Sequence, residues 1–402
     1  MIPRPLYLNA LRSLRNVPLV KILVGGRRCG KSTILAMLRE ELIASGIPEE
    51  RILARTYTSE DIDHALDDRK MYLDIRERMK GRGFCYLLLD EVQEIENWEK
   101  AINSLLEEGN ADIYVTGSNS RLMASEISTY LSGRYVSIPV YPLSLGEYQD
   151  FRAVGHDPQT DPGKLFDAYL RTGGFPVIAA HNFDFQTVYQ IVEGILASVV
   201  EHDIARRHNI ANYDLFTRVV KYVLENVGKT FSANAIVKFL KGEGRSLTVE
   251  SIYNYLSWLE KAFVVHRCPR YDLQRKSVLK TQEKFFVVDP SFKYCRLGFD
   301  RKSIASMLEN IVYLELKRRR YDVYIGKDGT REVDFVAVQR DERIYVQVCR
   351  QLPEDSDRET ANLLAIRDQY PKYVVTMENL PAYNERGVRI MHIADFLLQE
   401  KW

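Results

Sequence analysis

The sequence predicts an α/β protein whose first part is a parallel sheet with helices on both faces, and three observations lead to this class. Apolar segments of strand length, such as 20–24 and 84–89, alternate with helical patterns. A glycine-rich loop follows the first of these strands, and an Asp-Glu pair ends the later one. Polar groups at strand ends are typical of parallel sheets, because the carboxyl ends of the strands meet at one edge.

The glycine-rich loop has the pattern of a phosphate-binding loop. Residues 25–32 are Gly-Gly-Arg-Arg-Cys-Gly-Lys-Ser, which fits G-x-x-x-x-G-K-[ST]. Glycine allows the backbone to turn its N–H groups toward phosphate oxygens, Lys31 reaches the β- and γ-phosphates, and Ser32 offers a hydroxyl to Mg²⁺. The apolar run that follows predicts a helix whose positive N-terminal end faces the anion. The pattern predicts ATP and Mg²⁺ as cofactors and these nucleotide-binding residues: Gly25, Gly26, Arg27, Arg28, Cys29, Gly30, Lys31, Ser32 and Thr33.

The second motif is the apolar strand that ends in Asp90 and Glu91. Asp90 is predicted to hold the Mg²⁺ shell together with Ser32, and Glu91 to orient and polarise the attacking water. The alternative is a strand that merely ends in solvated acids. The position of the pair downstream of the loop, with a strand and helices between, favours the catalytic interpretation.

Two further positions are candidates for contact with the γ-phosphate. The strand that begins at Asp112 ends in Ser118 and Asn119, and in ATPases of this kind that strand lies between the two that carry the loop and the acids. Asn119 is therefore added to the nucleotide-binding set. Arg134 is a candidate to stabilise the γ-phosphate charge, from its own chain or from a neighbour. An ordinary capped turn at 118–119 and a surface arginine at 134 are the alternatives.

Composition places the chain among globular proteins without a global preference for polyanions. Its 402 residues suffice for two to four domains, and 56 Lys and Arg balance 55 Asp and Glu. The 5 cysteines are scattered without a C-x-x-C pair, so neither a disulfide framework nor a zinc site is indicated. A signal-peptide core and a membrane-spanning run are both missing, so we expect a cytoplasmic location and no membrane partner.

Four stretches carry a more specific resemblance: GGRRCGKST, LLLDEVQEIENWEK, IYVTGSNSRLM and LSGRYVSIPVYPLSLGEY. They are similar to a family of prokaryotic AAA-type ATPases, and the resemblance extends over nearly the whole chain. It implies a RecA/AAA-like core, then a winged-helix region and a restriction-endonuclease-like C-terminal domain. The implied domains are a P-loop ATPase domain at 1–145, a helical lid or linker at 146–210, a winged-helix domain at 211–270 and a nuclease-like domain at 271–402.

The winged-helix region raises the question of DNA. Its pattern is three helices followed by a strand pair, and the third helix has the position of one that enters a major groove. Glu250 and Glu260 flank that helix, however, and the basic residues come later, at 267–280 and 317–320. DNA contact through these basic residues and packing against protein both remain open.

The C-terminal order of helix, three strands, helix and strand matches the core of the PD-(D/E)XK nuclease fold. In that fold an Asp and a Glu or Gln on neighbouring strands bind Mg²⁺, a Glu on the preceding helix joins them, and a Lys activates water. Glu309, Asp334 and Gln347 match these positions. Cys349 stands where the lysine belongs, and a thiol cannot replace an ammonium. We therefore expect a degenerate nuclease-like site whose cleavage activity is lost.

Three hypotheses for function follow. The first is a Mg²⁺-dependent ATPase whose hydrolysis rearranges the C-terminal domains, on DNA or on another client. The second is a nucleotide-gated binding protein for DNA or protein with little turnover, and the third is an ATP-dependent nuclease. Glu91 favours the first over the second, and Cys349 argues against the third. A homo-oligomer and an unknown protein partner are both left open.

Overall fold

The computed structural model of the chain describes residues 1–59, 67–118, 131, 133–155, 161–210, 212–242, 244–245, 247–352 and 358–402. The chain divides into two compact units. Unit 1 consists of Met1–Val140 with Lys261–Phe263, and unit 2 consists of Tyr141–Glu260 with Val264–Trp402. The predicted residue Asn119 lies outside the described residues.

Among the described residues of unit 1, five strands form one parallel sheet. They are β1 (Val20–Val24), β2 (Ile52–Thr56), β3 (Cys85–Asp90), β4 (Ala111–Gly117) and β5 (Tyr135–Pro139). Their order across the sheet is β2-β3-β4-β1-β5. The predicted parallel sheet is confirmed, and β4 lies between the strand of the glycine-rich loop and the strand of the Asp-Glu pair, as expected.

Helices cover both faces of this sheet. They are α1 (Pro5–Ser13), α2 (Lys31–Ala44), α3 (Asp68–Met79) and α4 (Trp98–Glu108), with single 3₁₀ turns at Glu49–Arg51 and Val92–Glu94. One apolar cluster contains residues of α3 and α4, and a second contains residues of α1 and α2. Every residue of β1, β3 and β4 is buried as a consequence, which is the pattern of strands covered on both faces.

Unit 2 begins with helices. They are α5 (Leu145–Gly155), α6 (Pro162–Thr172), α7 (Pro176–Ala179), α8 (Phe185–Ser198), α9 (Tyr213–Glu225), α10 (Ala233–Gly242) and α11 (Val249–Lys261), and a π-helix at Val199–Arg206 continues α8. Ser144 and Glu147 start α5 with a capping box: each side chain accepts a hydrogen bond from the backbone N–H of the other, at 3.1 and 2.9 Å.

The Gly-Gly-Phe-Pro turn between α6 and α7 is fixed by a buried carboxylate. Asp289 Oδ2 accepts a hydrogen bond of 2.7 Å from the backbone N–H of Gly174. Gly173 has φ +73°, and a Cβ on it would lie 1.8 Å from Asp289 Oδ1. Only glycine combines this backbone angle with so close an approach, so the turn has a structural role.

The remaining elements of unit 2 include a mixed sheet of order β12-β13-β11-β10-β9-β8-β6-β7. Its strands are β6 (Val265–Asp272), β7 (Ser277–Val287), β8 (Asp322–Asp328), β9 (Arg331–Gln339), β10 (Glu342–Cys349), β11 (Lys372–Thr376), β12 (Tyr383–Glu385) and β13 (Val388–His392). The helices are α12 (Ser291–Leu297), α13 (Ile304–Arg318), α14 (Arg358–Leu364) and α15 (Ile393–Leu398), with a 3₁₀ turn at Arg301–Ser303.

The hairpin β6–β7 belongs to this sheet, because β6 pairs in parallel with β8. The expected division between 211–270 and 271–402 therefore falls inside β6. From α13 onward the described elements follow the predicted order of helix, three strands, helix and strand. Strands β8, β9 and β10 pair antiparallel, and β11 pairs in parallel with β10.

Candidate functional site

The loop between β1 and α2 adopts a backbone that only glycine permits at two positions. A Cβ on Gly25 would lie 2.1 Å from the carbonyl oxygen of Val140. Gly30 has φ +98° and stands immediately before the first residue of α2. The first glycine is required by a close backbone approach and the second by a left-handed turn, so the motif is explained by local geometry.

Lys31, the first residue of α2, points back into the loop. Its side chain is 4% exposed, and its Nζ donates hydrogen bonds to the carbonyl oxygens of Gly25 at 2.9 Å and Gly26 at 3.1 Å. The same Nζ lies 3.9 Å from Glu91 Oε1. The ammonium is thus held at the loop by neutral carbonyls and by one distant carboxylate.

Ser32, at the start of α2, contacts Asp90, at the C-terminal end of β3. The Ser32 hydroxyl donates a 3.0 Å hydrogen bond to Asp90 Oδ1, and the Thr116 hydroxyl donates to the same oxygen. Thr116 Oγ1 also accepts the backbone N–H of Glu91 at 3.0 Å. The C-terminal ends of β3 and β4 and the start of α2 therefore form one hydrogen-bonded group, and Thr116 is a member that sequence reasoning missed.

Glu91 follows Asp90 in a left-handed backbone conformation, with φ +55° and ψ +47°. Such angles are uncommon at a non-glycine residue and cost free energy. Gln93 Nε2 donates a 2.5 Å hydrogen bond to Glu91 Oε2, which leaves Oε1 on the side of Lys31. Gln93 thereby fixes the orientation of the carboxylate.

The other predicted loop residues differ in environment. Cys29 is fully buried and its thiol donates to the carbonyl oxygen of Gly26 at 3.2 Å, so it packs the loop from inside. Arg28 is exposed with φ +124°, Arg27 is half-buried, and Thr33 is exposed on the first turn of α2. Arg28 and Thr33 are therefore accessible from solvent at the loop.

Arg134 lies at the opposite edge of the sheet. Its backbone carbonyl accepts the N–H of Val20, the first residue of β1, whereas the loop follows the last residue of β1. At about 3.3 Å per residue, β1 separates the two by roughly 16 Å. Arg134 Nη2 donates to Asn103 Oδ1 at 2.6 Å and lies 3.2 Å from Glu107 Oε1. Contact with the nucleotide of its own chain is thus not supported, and contact with a neighbouring chain's nucleotide stays a prediction.

Arg4 holds the loop from outside the motif. It is 2% exposed, and its Nη1 donates a 2.6 Å hydrogen bond to the backbone carbonyl of Cys29. Its guanidinium lies 4.5 Å from the centroid of the Tyr7 ring. A buried guanidinium is costly unless it is hydrogen-bonded, so this contact stabilises the loop and the start of α1 together. No short motif marks such a residue, because its partner lies 25 positions away.

In unit 2 the structure brings Asp334 and Gln347 together. The backbone N–H of Asp334 donates to Gln347 Oε1 at 3.3 Å, and the N–H of Val348 donates to Asp334 Oδ2 at 2.8 Å. Glu309 joins through Lys284, whose Nζ lies 3.2 Å from Glu309 Oε2. Sequence reasoning missed Lys284, which lies on β7, before the predicted motif.

Cys349 lies in an apolar cluster with Val333 and Tyr345. Burial raises the pKa of its thiol to about 12, so the thiol is neutral at pH 7 and supplies no charge. Within the described ranges, no three His, Cys, Asp or Glu side chains are grouped so as to hold a metal ion. In the part of the chain that the structure describes, no helix is both long and apolar enough to cross a membrane.

The fold and the loop define unit 1 as a P-loop domain of the AAA type. Residues 18–149 match the family model described as an AAA domain, and residues 163–303 match a model described as a domain of unknown function. The strand order and the Ser32–Asp90 contact described above are consistent with the first of these matches.

The chain belongs to the family of an uncharacterized protein of Haemophilus influenzae, with which it is 35% identical over 400 residues that cover 99% of each chain. It is also 28% identical to an uncharacterized protein of Methanocaldococcus jannaschii, over 94% of this chain and 85% of that one. Among solved structures, the Aeropyrum pernix ORC1 protein in complex with DNA matches 77% of this chain and 93% of its own, at 12% identity and a TM-score of 0.37.

We predict that Arg4→Met weakens binding of an ATP analogue about tenfold or more, because a hydrogen bond to a charged group contributes roughly 1.5–3 kcal/mol. The measurement is a titration with a fluorescent ATP analogue. Arg12→Met is the matched control, since Arg12 lies on α1, which Arg4 directly precedes, but forms an exposed ion pair with Glu41. Equal affinities in the two variants would show that Arg4 does not position the loop.

Proposed function

We propose that unit 1 binds ATP with Mg²⁺ and hydrolyses the γ-phosphate, and that the nucleotide state alters the conformation of the chain. The observation that carries this proposal is the group at the sheet edge: Ser32 Oγ lies 3.0 Å from Asp90 Oδ1, and Glu91 Oε1 lies beside the ammonium of Lys31. A hydroxyl, two carboxylates and an ammonium at the mouth of a glycine loop form the set of groups that phosphoryl transfer requires.

The residues of the glycine-rich loop and the sheet edge fit a nucleoside triphosphate and a divalent metal ion. Side chains are excluded from the loop at Gly25 and Gly30, so backbone N–H groups can approach phosphate oxygens. Lys31 can exchange its two carbonyl partners for the β- and γ-phosphates. Ser32 and Asp90 are hard oxygen ligands. Mg²⁺ bound there would neutralise negative charge on the phosphate oxygens.

In this proposal Glu91 is the general base. Its carboxylate would accept a proton from the water that attacks the γ-phosphate. Gln93 is a positioning residue, because its amide donates to Oε2 and leaves Oε1 available. Thr116 accepts a hydrogen bond from the backbone N–H of Glu91 and donates one to the carboxylate of Asp90. These two bonds set the spacing between the two acids.

Two alternative functions are less well supported. A protein that holds nucleotide without turnover has no need of a carboxylate that is oriented beside the lysine of the loop, as Glu91 is. The nuclease motif places its lysine at the position of Cys349, where the structure has a buried neutral thiol. We therefore place ATP hydrolysis first.

For unit 2 we propose a winged-helix-like part joined to a nuclease-like part. The helices α9, α10 and α11 precede the hairpin β6–β7, and an antiparallel bridge joins Thr230, between α9 and α10, to Lys284 of β7. Three helices, a bridge and a hairpin support the first assignment. The order of elements from α13 to β11 supports the second.

We do not include DNA in the proposed function, because several of the basic residues in the segments 267–280 and 317–320 are paired within the chain. Arg267 lies 3.4 Å from Glu260, Arg270 lies 2.6 Å from Glu332, and both Arg318 and Arg319 pair with Glu315. At the turn of the hairpin, Arg275 is 79% exposed and Lys276 is exposed. Any contact with DNA phosphates would rest on such exposed cations and would weaken steeply with salt.

We predict that Lys31→Ala abolishes ATP binding, because no other side chain of the loop brings an ammonium to the position of its Nζ. Binding is measured by equilibrium titration with a fluorescent ATP analogue. Lys80→Ala, which removes an exposed lysine at the end of α3, is the control. Comparable affinity of wild type and Lys31→Ala would contradict the nucleotide site.

We predict that Glu91→Gln keeps ATP affinity and lowers the rate of hydrolysis roughly a hundredfold or more, as expected for the loss of a general base. Steady-state phosphate release and nucleotide affinity are measured on the same preparation. The control is Glu96→Gln, an exposed acid a few residues further along. If Glu91→Gln hydrolyses ATP as fast as Glu96→Gln, then Glu91 is not the base.

A further inference from the structure

The glycine-rich loop contacts both residues at which the chain leaves unit 1. This unit consists of two segments, which end at Val140 and at Phe263. A Cβ on Gly25 would lie 2.1 Å from the carbonyl oxygen of Val140. A Cβ on Gly26 would lie 3.6 Å from both the Cβ and the carbonyl oxygen of Phe263. The two consecutive glycines of the loop therefore each lie against the end of one segment.

Phe263 occupies a backbone position that usually belongs to glycine. It lies just beyond the end of α11 with φ +54°, and the backbone N–H of Val264 donates a 2.9 Å hydrogen bond to the carbonyl oxygen of Leu259. This bond is typical of a Schellman motif, in which the left-handed residue after the helix is most often glycine. The left-handed conformation costs free energy at a residue as large as phenylalanine. The end of the helix alone therefore does not explain the aromatic side chain.

Packing within unit 1 explains the side chain of Phe263. The residue is buried and belongs to the apolar cluster that contains Val24, the last residue of β1. Burial of an aromatic ring in this cluster offsets the cost of the left-handed backbone. Phe263 thus packs into the core of unit 1 and contacts the loop that follows β1.

The backbone of Gly26 has contacts on two sides. Its carbonyl oxygen accepts hydrogen bonds from Lys31 Nζ at 3.1 Å and from the backbone N–H of Arg28 at 3.0 Å. Its Cα lies against Phe263. A triphosphate bound at the loop would compete with this carbonyl for the ammonium of Lys31. Gly26 would then lose a partner on one side while Phe263 supports it on the other.

We propose that Phe263 is a positioning residue of the glycine-rich loop, through which a bound nucleotide orders the C-terminal turn of α11. This inference rests on the proposed function, because it requires that the loop bind nucleotide. Phe263 is joined to α11 by the chain itself and to the loop by its packing against Gly26. Loss of the aromatic side chain therefore affects the loop and the end of the helix together.

The test uses the full chain and a non-hydrolysable ATP analogue. Affinity is measured by equilibrium titration, and amide hydrogen exchange is measured over residues 256–266. In the wild type we expect saturating analogue to slow exchange in this segment at least twofold. Phe263→Gly should bind the analogue at least fivefold more weakly and lose the exchange response even at saturation, although glycine suits the helix end better. Phe263→Leu keeps an apolar side chain and should retain the response.

Arg320→Gly is the matched control, because it changes the same kind of backbone position. Arg320 has φ +67° just beyond the end of α13, and the N–H of Tyr321 donates a 3.0 Å hydrogen bond to the carbonyl oxygen of Leu316. The side chain of Arg320 is exposed. We expect this variant to keep both the affinity for the analogue and the exchange response of residues 256–266.

Two results would overturn the proposal. One is a wild-type chain that binds the analogue without a change in exchange over residues 256–266. The other is a Phe263→Gly chain whose exchange response at saturation equals that of the wild type, because a purely structural role leaves that response intact. If Phe263→Gly does not fold, as judged by circular dichroism, the wild-type exchange response decides. A wild-type chain that does not bind the analogue contradicts the proposed function, and this inference with it.

Discussion

The parallel pairing of β4 with both β1 and β3 brings the polar groups of the candidate site to one edge of the sheet. Because the three strands point the same way, the loop after β1, the acids after β3 and Thr116 of β4 reach the same edge. Hydrogen bonds from Ser32 and Thr116 to Asp90 then hold these three side chains together at that edge. A shift of β4 by one residue would turn Thr116 to the other face and separate the two acids from it.

Two buried lysines, Lys31 and Lys284, differ in the charge of the groups that contact their ammonium. Lys31 and Lys284 are 4% and 5% exposed, so burial does not distinguish them. Lys31 is held by two neutral carbonyls and by one carboxylate at 3.9 Å. A phosphate bound at the loop would therefore supply the close negative charge that the ammonium lacks. Lys284 has two carboxylates within 3.2 Å, so its charge is already compensated. The first arrangement favours an anionic ligand, whereas in the second the ammonium already has two anionic partners.

Features that depend on neighbours in sequence could be predicted, and features that depend on distant partners could not. The loop, the Asp-Glu pair and the position of β4 follow from short patterns, and the structure has all of them. Arg4 and Lys284 were missed because their partners lie 25 residues away along the chain. Arg134 directly precedes β5, and in a parallel sheet the start of a strand lies at the edge opposite the loop. A motif locates a residue along a strand, whereas only the sheet shows which edge it occupies.

Contacts between residues distant in sequence also limit how the parts of unit 2 can move relative to one another. A hinge at residue 270, where two separate domains were expected to meet, would have to break β6. The side chain of Asn310 on α13 bonds both backbone groups of Val287, at 2.7 and 3.0 Å, and so ties β7 to the helix that carries Glu309. The bridge from Thr230 to Lys284 ties β7 to the region of α9 and α10. We therefore infer that the helices α9–α11 and the sheet move as one body, because a motion that separated them would break the Thr230–Lys284 bridge and the backbone hydrogen bonds that join 228–231 to β7.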